Sequence, residues 1–177
     1  MALVKWDFDY AHSGIDFTVR HLLVSKVRGR FTKWSGKLEI DEADYSKSHC
    51  EVEIDLASVD THEAQRDTHL RSGDFFEVEK HPTMTFKSTS VLAKSANHLA
   101  ITGDLMLRGV SKPVVLEVEH PGIVAKDPWG KRRAGFTATA TINRKEFGVS
   151  FNQVLDQGGL ALSEEVAITI EIEATAA

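Results

Sequence analysis

Eight histidines are the side chains of this 177-residue protein that could most readily do chemistry. They are spread from His12 to His120, and none has the His-x-His or His-Glu-x-x-His spacing that brings two ring nitrogens onto one metal ion. Cys50 is the only cysteine, so the sequence offers neither a pair of thiolate ligands nor an intrachain disulfide. The spacing therefore predicts no metal site and no cofactor.

Motifs for nucleophilic catalysis and phosphate binding are missing as well. The sequence has no Gly-x-Ser-x-Gly turn, and Cys50 has no histidine with a plausible orienting partner. The segment Gly109–Lys112 superficially resembles a phosphate loop, but it lacks the upstream glycine and the helix that should follow. The sequence thus contains no recognised catalytic motif.

Two groups of polar residues stand out nevertheless. His21 ends an alternating stretch and shares the apolar phase of Val19, so it is either a hydrogen-bonded rim residue or a contact to a ligand head or a proton-transfer group. The second group surrounds a predicted helix, where it is either a solvated surface or a cationic mouth for an anionic or polar head. Its members are Arg66, His69, Arg71, Asp74 and His81.

Charge and hydropathy narrow the class of protein. A net charge of −5 and a pI near 5.9 argue against nucleic-acid binding, and the densest basic cluster, Lys131–Arg133, is interpreted as a solvated turn. No segment approaches the roughly 18 apolar residues that span a bilayer. The first strand pattern begins within a few residues of Met1, so we expect no leader and a cytoplasmic protein, or a periplasmic one if an export signal has been removed.

The elements that must position these residues are strands with one apolar face. From Ile15 to His21 apolar and polar residues alternate, which is the period of a half-buried strand. The same alternation recurs to the end of the sequence, in Cys50–Leu56, Leu99–Leu107, Val114–Val118, Phe136–Ile142 and Val166–Ile172, with a further strand in Thr83–Ser90. On this face Cys50 is predicted to be a buried thiol.

Two local features interrupt the strand pattern. The apolar phase shifts between Val27 and Ile40, which predicts a bulge or bend near Lys33. One helix is predicted over Thr61–Arg71, with Asp60 as its cap, Glu63 completing a capping box and Gly73 ending it. This helix is too polar for a core, so it should cover the surface.

Many two-faced strands and one short helix predict a single all-β domain over residues 1–177. The sheet should be antiparallel and rolled into a barrel of about eight strands, with a helical insertion near 61–76. A barrel of this size is either filled by side chains or holds one ligand, and the alternation allows both. Small residues on inward phases, among them Gly103, Ala134, Ala138 and Ala140, fit either case.

Several sequence blocks, in the same order along the chain, resemble the YceI-like family. They are His12–Ser13, Val27–Phe31, Arg66–Phe76, Pro82–Ser88, Gly103–Val114 and Asn143–Val149. The resemblance implies a lipocalin-like antiparallel barrel that holds a polyisoprenoid or related long apolar chain in an interior tunnel. Many members are exported to the periplasm. The resemblance implies a hollow interior and no catalytic residues.

We therefore predict a non-enzymatic carrier or storage protein for a long-chain lipid, such as a polyprenyl diphosphate or an isoprenoid quinone. Its continuous apolar tunnel should be lined by Phe17, Val19, Phe31, Phe86, Leu105, Phe136, Ile142 and Ile168, with Phe75 and Phe76 closing or lining one end. The head should lie near His21, Arg66, His69 and Arg71. The alternatives are an enzyme that uses His21 or His69 as general acid–base, and a ligand-free structural or stress-response barrel. Monomer and homodimer are both left open.

Overall fold

The computed structural model describes residues 3–22, 24–152 and 161–177. It contains twelve strands and one α-helix in these residues. They are β1 (Val4–Phe8), β2 (Gly14–His21), β3 (Ser25–Phe31), β4 (Trp34–Ile40), β5 (His49–Asp55), β6 (Val59–Asp60), α1 (Ala64–Arg71), β7 (Thr83–Ser95), β8 (His98–Leu107), β9 (Val110–Glu119), β10 (Ile123–Val124), β11 (Arg133–Asn143) and β12 (Glu165–Ala176).

Eight of these strands close into an antiparallel ring in the order β1-β4-β5-β7-β8-β9-β11-β12, with β12 returning to β1. The long strands alternate buried and exposed residues along their length, as in β8 from Gly103 to Leu107. This period-two burial is what the sequence pattern predicts, because successive side chains of a strand point to opposite faces. The predicted barrel of about eight strands is confirmed.

Strand β12 has two successive partners on one edge. Residues Ala167–Glu171 pair with β2, and the end of the strand pairs with β1, while β11 runs along the whole of its other edge. Strands β1 and β2 thus behave as one long bent strand. So do β3 and β4, which break at Thr32 and Lys33, where the phase shift predicts a bend. At the β2–β3 end the wall continues through β6.

The helix is shorter than predicted and begins at a different cap. Asp60 lies in β6 opposite Arg30, and its carboxylate accepts a hydrogen bond from the His62 backbone N–H, so it cannot cap the helix. Glu63 is the actual cap, and its side chain accepts from the Arg66 backbone N–H. The helix ends at Arg71, before Gly73. It is the only α-helix of the described residues, and it is far too short to cross a membrane.

One end of the barrel is closed by packed side chains. Trp6, Ile40, Ala134 and Ala174 form a buried cluster where β1, β4, β11 and β12 meet, and the Trp6 ring is 1% exposed. The guanidinium of Arg132 lies over this ring, 5.5 Å from its centroid. Arg133, predicted to be in a solvated turn, is largely buried in ion pairs with Asp9 and Asp127. We call this the Trp6 end.

Candidate functional site

The barrel interior is hollow at the end opposite Trp6. A cavity of about 360 Å³ lies between β2, β3, α1, β12 and residues 144–151 and 161–162, which precede β12. Most of its lining is apolar, and it reaches the surface at His69, whose side chain is 44% exposed. Its lining includes Ile15, Phe17, Val19, Phe31, Leu70, Phe75, Phe76, Met84, Leu107, Ile142, Val149, Phe151, Leu162, Val166 and Ile168, with the polar residues Asp16, His21, Arg66, His69 and Arg144. We call it the large cavity.

A second cavity of about 170 Å³ lies deeper in the barrel and is also mainly apolar. It is lined from β1, β2, β4, β5, β7, β8, β9, β11 and β12, and Ile15, Met84 and Ile168 line both cavities. These three side chains therefore lie where the two cavities meet. A continuous apolar tunnel through both cavities stays a prediction. We call the second one the small cavity.

The structure distributes the predicted site residues between the two cavities. The large cavity is lined by Phe17, Val19, His21, Phe31, Arg66, His69, Phe75, Phe76, Ile142 and Ile168. The small cavity is lined by Phe86, Leu105, Phe136 and, again, Ile168. Arg71 lines neither. The inward phase of each strand correctly places the apolar residues, since the closed barrel leaves one face of every strand inside.

Arg71 has a different position from the one predicted. Its Nε donates to the carbonyl oxygen of Ala57 at 3.0 Å, and its Nη2 to that of Val59 at 3.4 Å. It therefore ties α1 to the chain before it instead of pointing into the cavity. Helical residues three to four apart share a face, and the structure assigns the cavity face to Arg66, His69 and Leu70.

The helix forms a wall of the large cavity and is held by a buried carboxylate. Asp67 is 8% exposed and accepts hydrogen bonds from the backbone N–H and the hydroxyl of Thr61, at 2.9 and 2.5 Å. Behind the helix, Phe75 is buried and packs against Phe151, with ring centroids 5.3 Å apart, while Phe76 lies 5.9 Å from Phe31. The aromatic pair thus lines the cavity, beside the helix.

Two aromatic rings lie flat against the barrel wall because a glycine faces each of them. Phe17 is directly opposite Gly29, and a Cβ on Gly29 would overlap the Phe17 ring. The Phe86 ring covers Gly103 in the same way. Gly103 therefore does not leave empty space for a ligand, because the Phe86 ring fills that space. Rings that lie on the wall do not project across the interior.

The polar groups at the large cavity are mostly engaged. Arg66 donates to the Thr61 hydroxyl at 2.8 Å and to the Thr61 carbonyl at 2.7 Å. The ring of His69 is hydrogen-bonded to the Asp74 carboxylate at 2.8 Å. Asp16 accepts from Arg30 at 2.8 Å. Each side chain is therefore held in place while it borders the cavity.

Arg144 is a lining residue that the strand pattern and the motifs do not predict. It follows β11 in the short 3-10 turn Arg144–Phe147. Asn143 and Gly148 bracket this turn, a pattern typical of an exposed polar turn. Gly148 adopts φ 77°, and beyond it the chain brings the carbonyls of Val149 and Phe151 onto the guanidinium, which is 4% exposed. Burial lowers the pKa of Arg144 below its ordinary value. Only the block Asn143–Val149 of the family resemblance points to this turn.

The lone thiol lies in the wall of the small cavity. Cys50 is partly buried, and burial raises its pKa to about 11. The backbone N–H of Cys50 donates to the Ser88 hydroxyl at 2.9 Å. A thiol in this state is a weak nucleophile at neutral pH, since the thiolate is the reactive form.

Asp9, His12 and Glu173 are the one group of the described residues whose ligand atoms lie close enough for a metal ion, within 4.8 Å of one another. However, Nη1 of Arg133 lies 2.7 Å from Asp9 and 3.1 Å from Glu173. The hydrogen bond from Arg133, followed by that from His12, lowers the pKa of Asp9. A cation already balances these carboxylates, so the group is an ion-pair network near the Trp6 end.

Comparison with known proteins covers almost the whole chain. Residues 6–174 match the YceI-like domain. A UPF0312 protein of Pseudomonas aeruginosa is 42% identical over 169 residues, which cover 96% of this chain and 84% of that protein. A UPF0312 protein of Vibrio cholerae is 43% identical over 139 residues, covering 78% and 73% of the two chains.

Solved structures share the same fold. The YCEI protein of Campylobacter jejuni superposes with a TM-score of 0.74 at 33% identity, covering 88% of each chain. BcnA of Burkholderia cenocepacia gives a TM-score of 0.84 at 24% identity, over 96% of this chain and 100% of that one. A polyisoprenoid binding domain from Saccharophagus degradans gives 0.72 at 16% identity, over 98% and 99%.

Proposed function

Because this chain belongs to the YceI-like family, we propose that it binds a long-chain apolar lipid of the polyisoprenoid class inside the barrel, as a carrier or storage protein. The large cavity carries this proposal. It has about 360 Å³ of space, a mostly apolar lining and a surface opening beside His69. Pockets of about 300–1,000 Å³ are typical of small-molecule binding sites.

Burial of the hydrocarbon chain supplies the driving force. Each CH₂ group removed from water contributes about 0.8 kcal/mol, so about ten buried carbons contribute roughly 8 kcal/mol before the costs of association. The small cavity extends the apolar space beyond Ile15, Met84 and Ile168. The barrel therefore suits an elongated ligand better than a compact one.

The ligand class is supported by a neighbour of the same fold. The Saccharophagus degradans structure is described as a polyisoprenoid binding domain. Within this class, a polyprenyl diphosphate and an isoprenoid quinone differ in their heads. His21, Arg66 and His69 border the large cavity, so the head belongs at this end of the barrel and the chain points toward the Trp6 end.

Native mass spectrometry of the protein purified from its host tests the proposal. We expect a bound mass that organic extraction releases and that fragments as a polyprenyl compound. The same spectra give the mass of the loaded species, which distinguishes a monomer from a homodimer. Protein that carries no lipid and takes up no polyprenyl compound in reconstitution would contradict the proposal and favour a ligand-free barrel.

One observation favours a second candidate, an enzyme acting on an isoprenoid or acyl ligand. His69 borders the large cavity and is oriented by Asp74 at 2.8 Å, which is the arrangement of a general base and its partner. Incubating the protein with a bound polyprenyl ester and analysing the extract separates the two functions. A carrier returns the ester unchanged. Turnover that His69→Ala abolishes would establish the enzyme.

The sequence predicts a cytoplasmic protein, and the compartment stays a prediction. Fractionation of the native host, with marker proteins for cytoplasm and periplasm, tests it. Recovery with the periplasmic marker would contradict the prediction.

A further inference from the structure

We propose that Arg144, which lines the large cavity, is a binding residue for an anionic lipid head, and that the ligand's carboxylate or phosphate oxygen accepts a hydrogen bond from its guanidinium. This inference rests on the proposed function, because the apolar chain of the same molecule would occupy the barrel. It moves the expected head from the surface helix to a buried guanidinium in the lining of the same cavity.

The charge of Arg144 has no counter-ion in the part of the chain that the structure describes. Within the described residues its side chain donates to three backbone carbonyls, those of Ser163, Val149 and Phe151. Glu164, the acidic residue whose charge acts on it, is itself paired with Lys145 at 3.2 Å. A guanidinium that is 4% exposed has lost most of its hydration. A buried charge without a partner is unfavourable, and an anion in the cavity would relieve this.

The geometry leaves one end of the guanidinium free. Nε donates to Ser163 at 2.9 Å, and Nη1 donates to Val149 at 2.8 Å and to Phe151 at 2.9 Å. Nη2 is buried and has no acceptor among residues 3–22, 24–152 and 161–177. Three bonds to the backbone hold the planar group in one orientation, so its unused N–H donors are fixed before a ligand arrives. Fixed donors lose little conformational entropy on binding.

The rest of the large cavity does not neutralise this charge. Arg66 also lines the cavity, and its side chain donates only to the neutral oxygens of Thr61. The acidic lining residue Asp16 is already paired with Arg30. The cavity therefore contains two arginines that are bonded to neutral oxygens within an apolar wall. This excess of positive charge in the cavity lining favours an anionic head over the neutral head of a quinone.

The test compares lipids that differ only in the charge of the head. Geranylgeranyl phosphate is paired with geranylgeraniol, and a saturated fatty acid with its methyl ester, and dissociation constants are measured by calorimetry for the delipidated protein. We expect the wild type to prefer the anionic member of at least one pair by about tenfold or more, the range of a charge-assisted hydrogen bond. A preference within the geranylgeranyl pair identifies phosphate as the head, and a preference within the fatty-acid pair identifies carboxylate.

In Arg144→Gln we expect this preference to fall to about one-tenth of its wild-type value or less, and in Arg144→Lys to be partly kept. Arg71→Gln is the matched control. Arg71 is also bonded to backbone carbonyls but does not line the cavity, so this variant should keep the wild-type preference. The ratio of the two dissociation constants within a pair separates head binding from folding. If Arg144 were purely structural, its replacement would weaken the binding of both members of a pair equally.

Two results would overturn the inference and leave the proposed function standing. They are a wild type without preference for anionic heads, and an Arg144→Gln protein that retains the wild-type ratio or loses both lipids to the same extent. If Arg144→Gln does not fold, the inference is tested by the preference of the wild type for anionic heads and by the preference that Arg144→Lys retains. A wild type that binds no member of either pair would overturn the proposed function itself.

Discussion

The thiol of Cys50 can report on the filling of the small cavity. At a pKa of about 11, roughly one thiol in a thousand is ionised at pH 8, against about one in four for an ordinary cysteine. We expect alkylation of the folded protein by iodoacetamide at pH 8 to be about a hundredfold slower than that of the urea-unfolded protein. A bound chain that reaches the small cavity should slow it further. Equal rates for the delipidated and unfolded protein would contradict this.

His120 should make the folded state less stable in mild acid. It is 5% exposed and packs against Tyr45, and burial lowers its pKa below the ordinary value of 6.5. The unfolded chain therefore binds a proton more readily than the folded one. The stabilisation from neutral His120 is complete above about pH 6.5 and is lost as the pH falls through the lower folded-state pKa.

Urea denaturation at pH 7.5 and 5.5 measures this effect. The free energy of unfolding of the wild type should fall on acidification by more than that of His120→Phe, which keeps a ring beside Tyr45 but cannot be protonated. The backbone bond from His120 to Asn97 is the same in both proteins, so it does not enter the comparison. An identical change in the two proteins would show that another group is responsible.

At the scale of the elements, the pairing of Phe17 with Gly29 keeps the large cavity open. A methyl group at position 29 would overlap the Phe17 ring and push it off the wall of β3. In Gly29→Ala we expect the ring to turn into the interior, so that the protein still folds but holds a shorter lipid chain. Native mass spectra of the protein reconstituted with polyprenyl alcohols of graded length would give the longest chain retained.

Gly135→Ala is the control, since its Cβ would approach only the Ile172 carbonyl, at 4.0 Å. It should retain the wild-type range of lengths. If Gly29→Ala also retains that range, the glycine matters only for packing of the wall.

The strands show why most of the wall could be predicted from sequence. Each inward residue, such as Phe31 or Ile168, follows from the local period of two, and the break at Lys33 follows from the change of phase. The start of the helix is harder to predict from sequence. Asp60 is a residue type that caps helices, but the pairing of β6 with β3 holds it opposite Arg30. Arg144 could not be found in this way, since its burial depends on segments that lie after it in the chain.

At the scale of the whole molecule, filling the interior should stabilise the protein against heat. A ligand that binds only the folded state at a hundred times its dissociation constant contributes about 2.7 kcal/mol. For a protein of this length that corresponds to a rise in Tm of about 5–10 °C. Differential scanning calorimetry of delipidated and reconstituted protein tests this, and an unchanged Tm at saturating lipid would contradict binding in the interior.

The last of the described strands, β12, has a consequence for how the protein folds. It joins β11 on one edge and β2 and then β1 on the other, so that Ser13 and Glu173, bonded through the serine hydroxyl, are 160 residues apart. Contacts of such large sequence separation form slowly, because a long loop must be closed before they contribute. During synthesis the ribosome releases every other strand first, and until β12 arrives the edges of β1, β2 and β11 stay unpaired. We expect refolding in milliseconds to seconds, with aggregation competing at this step.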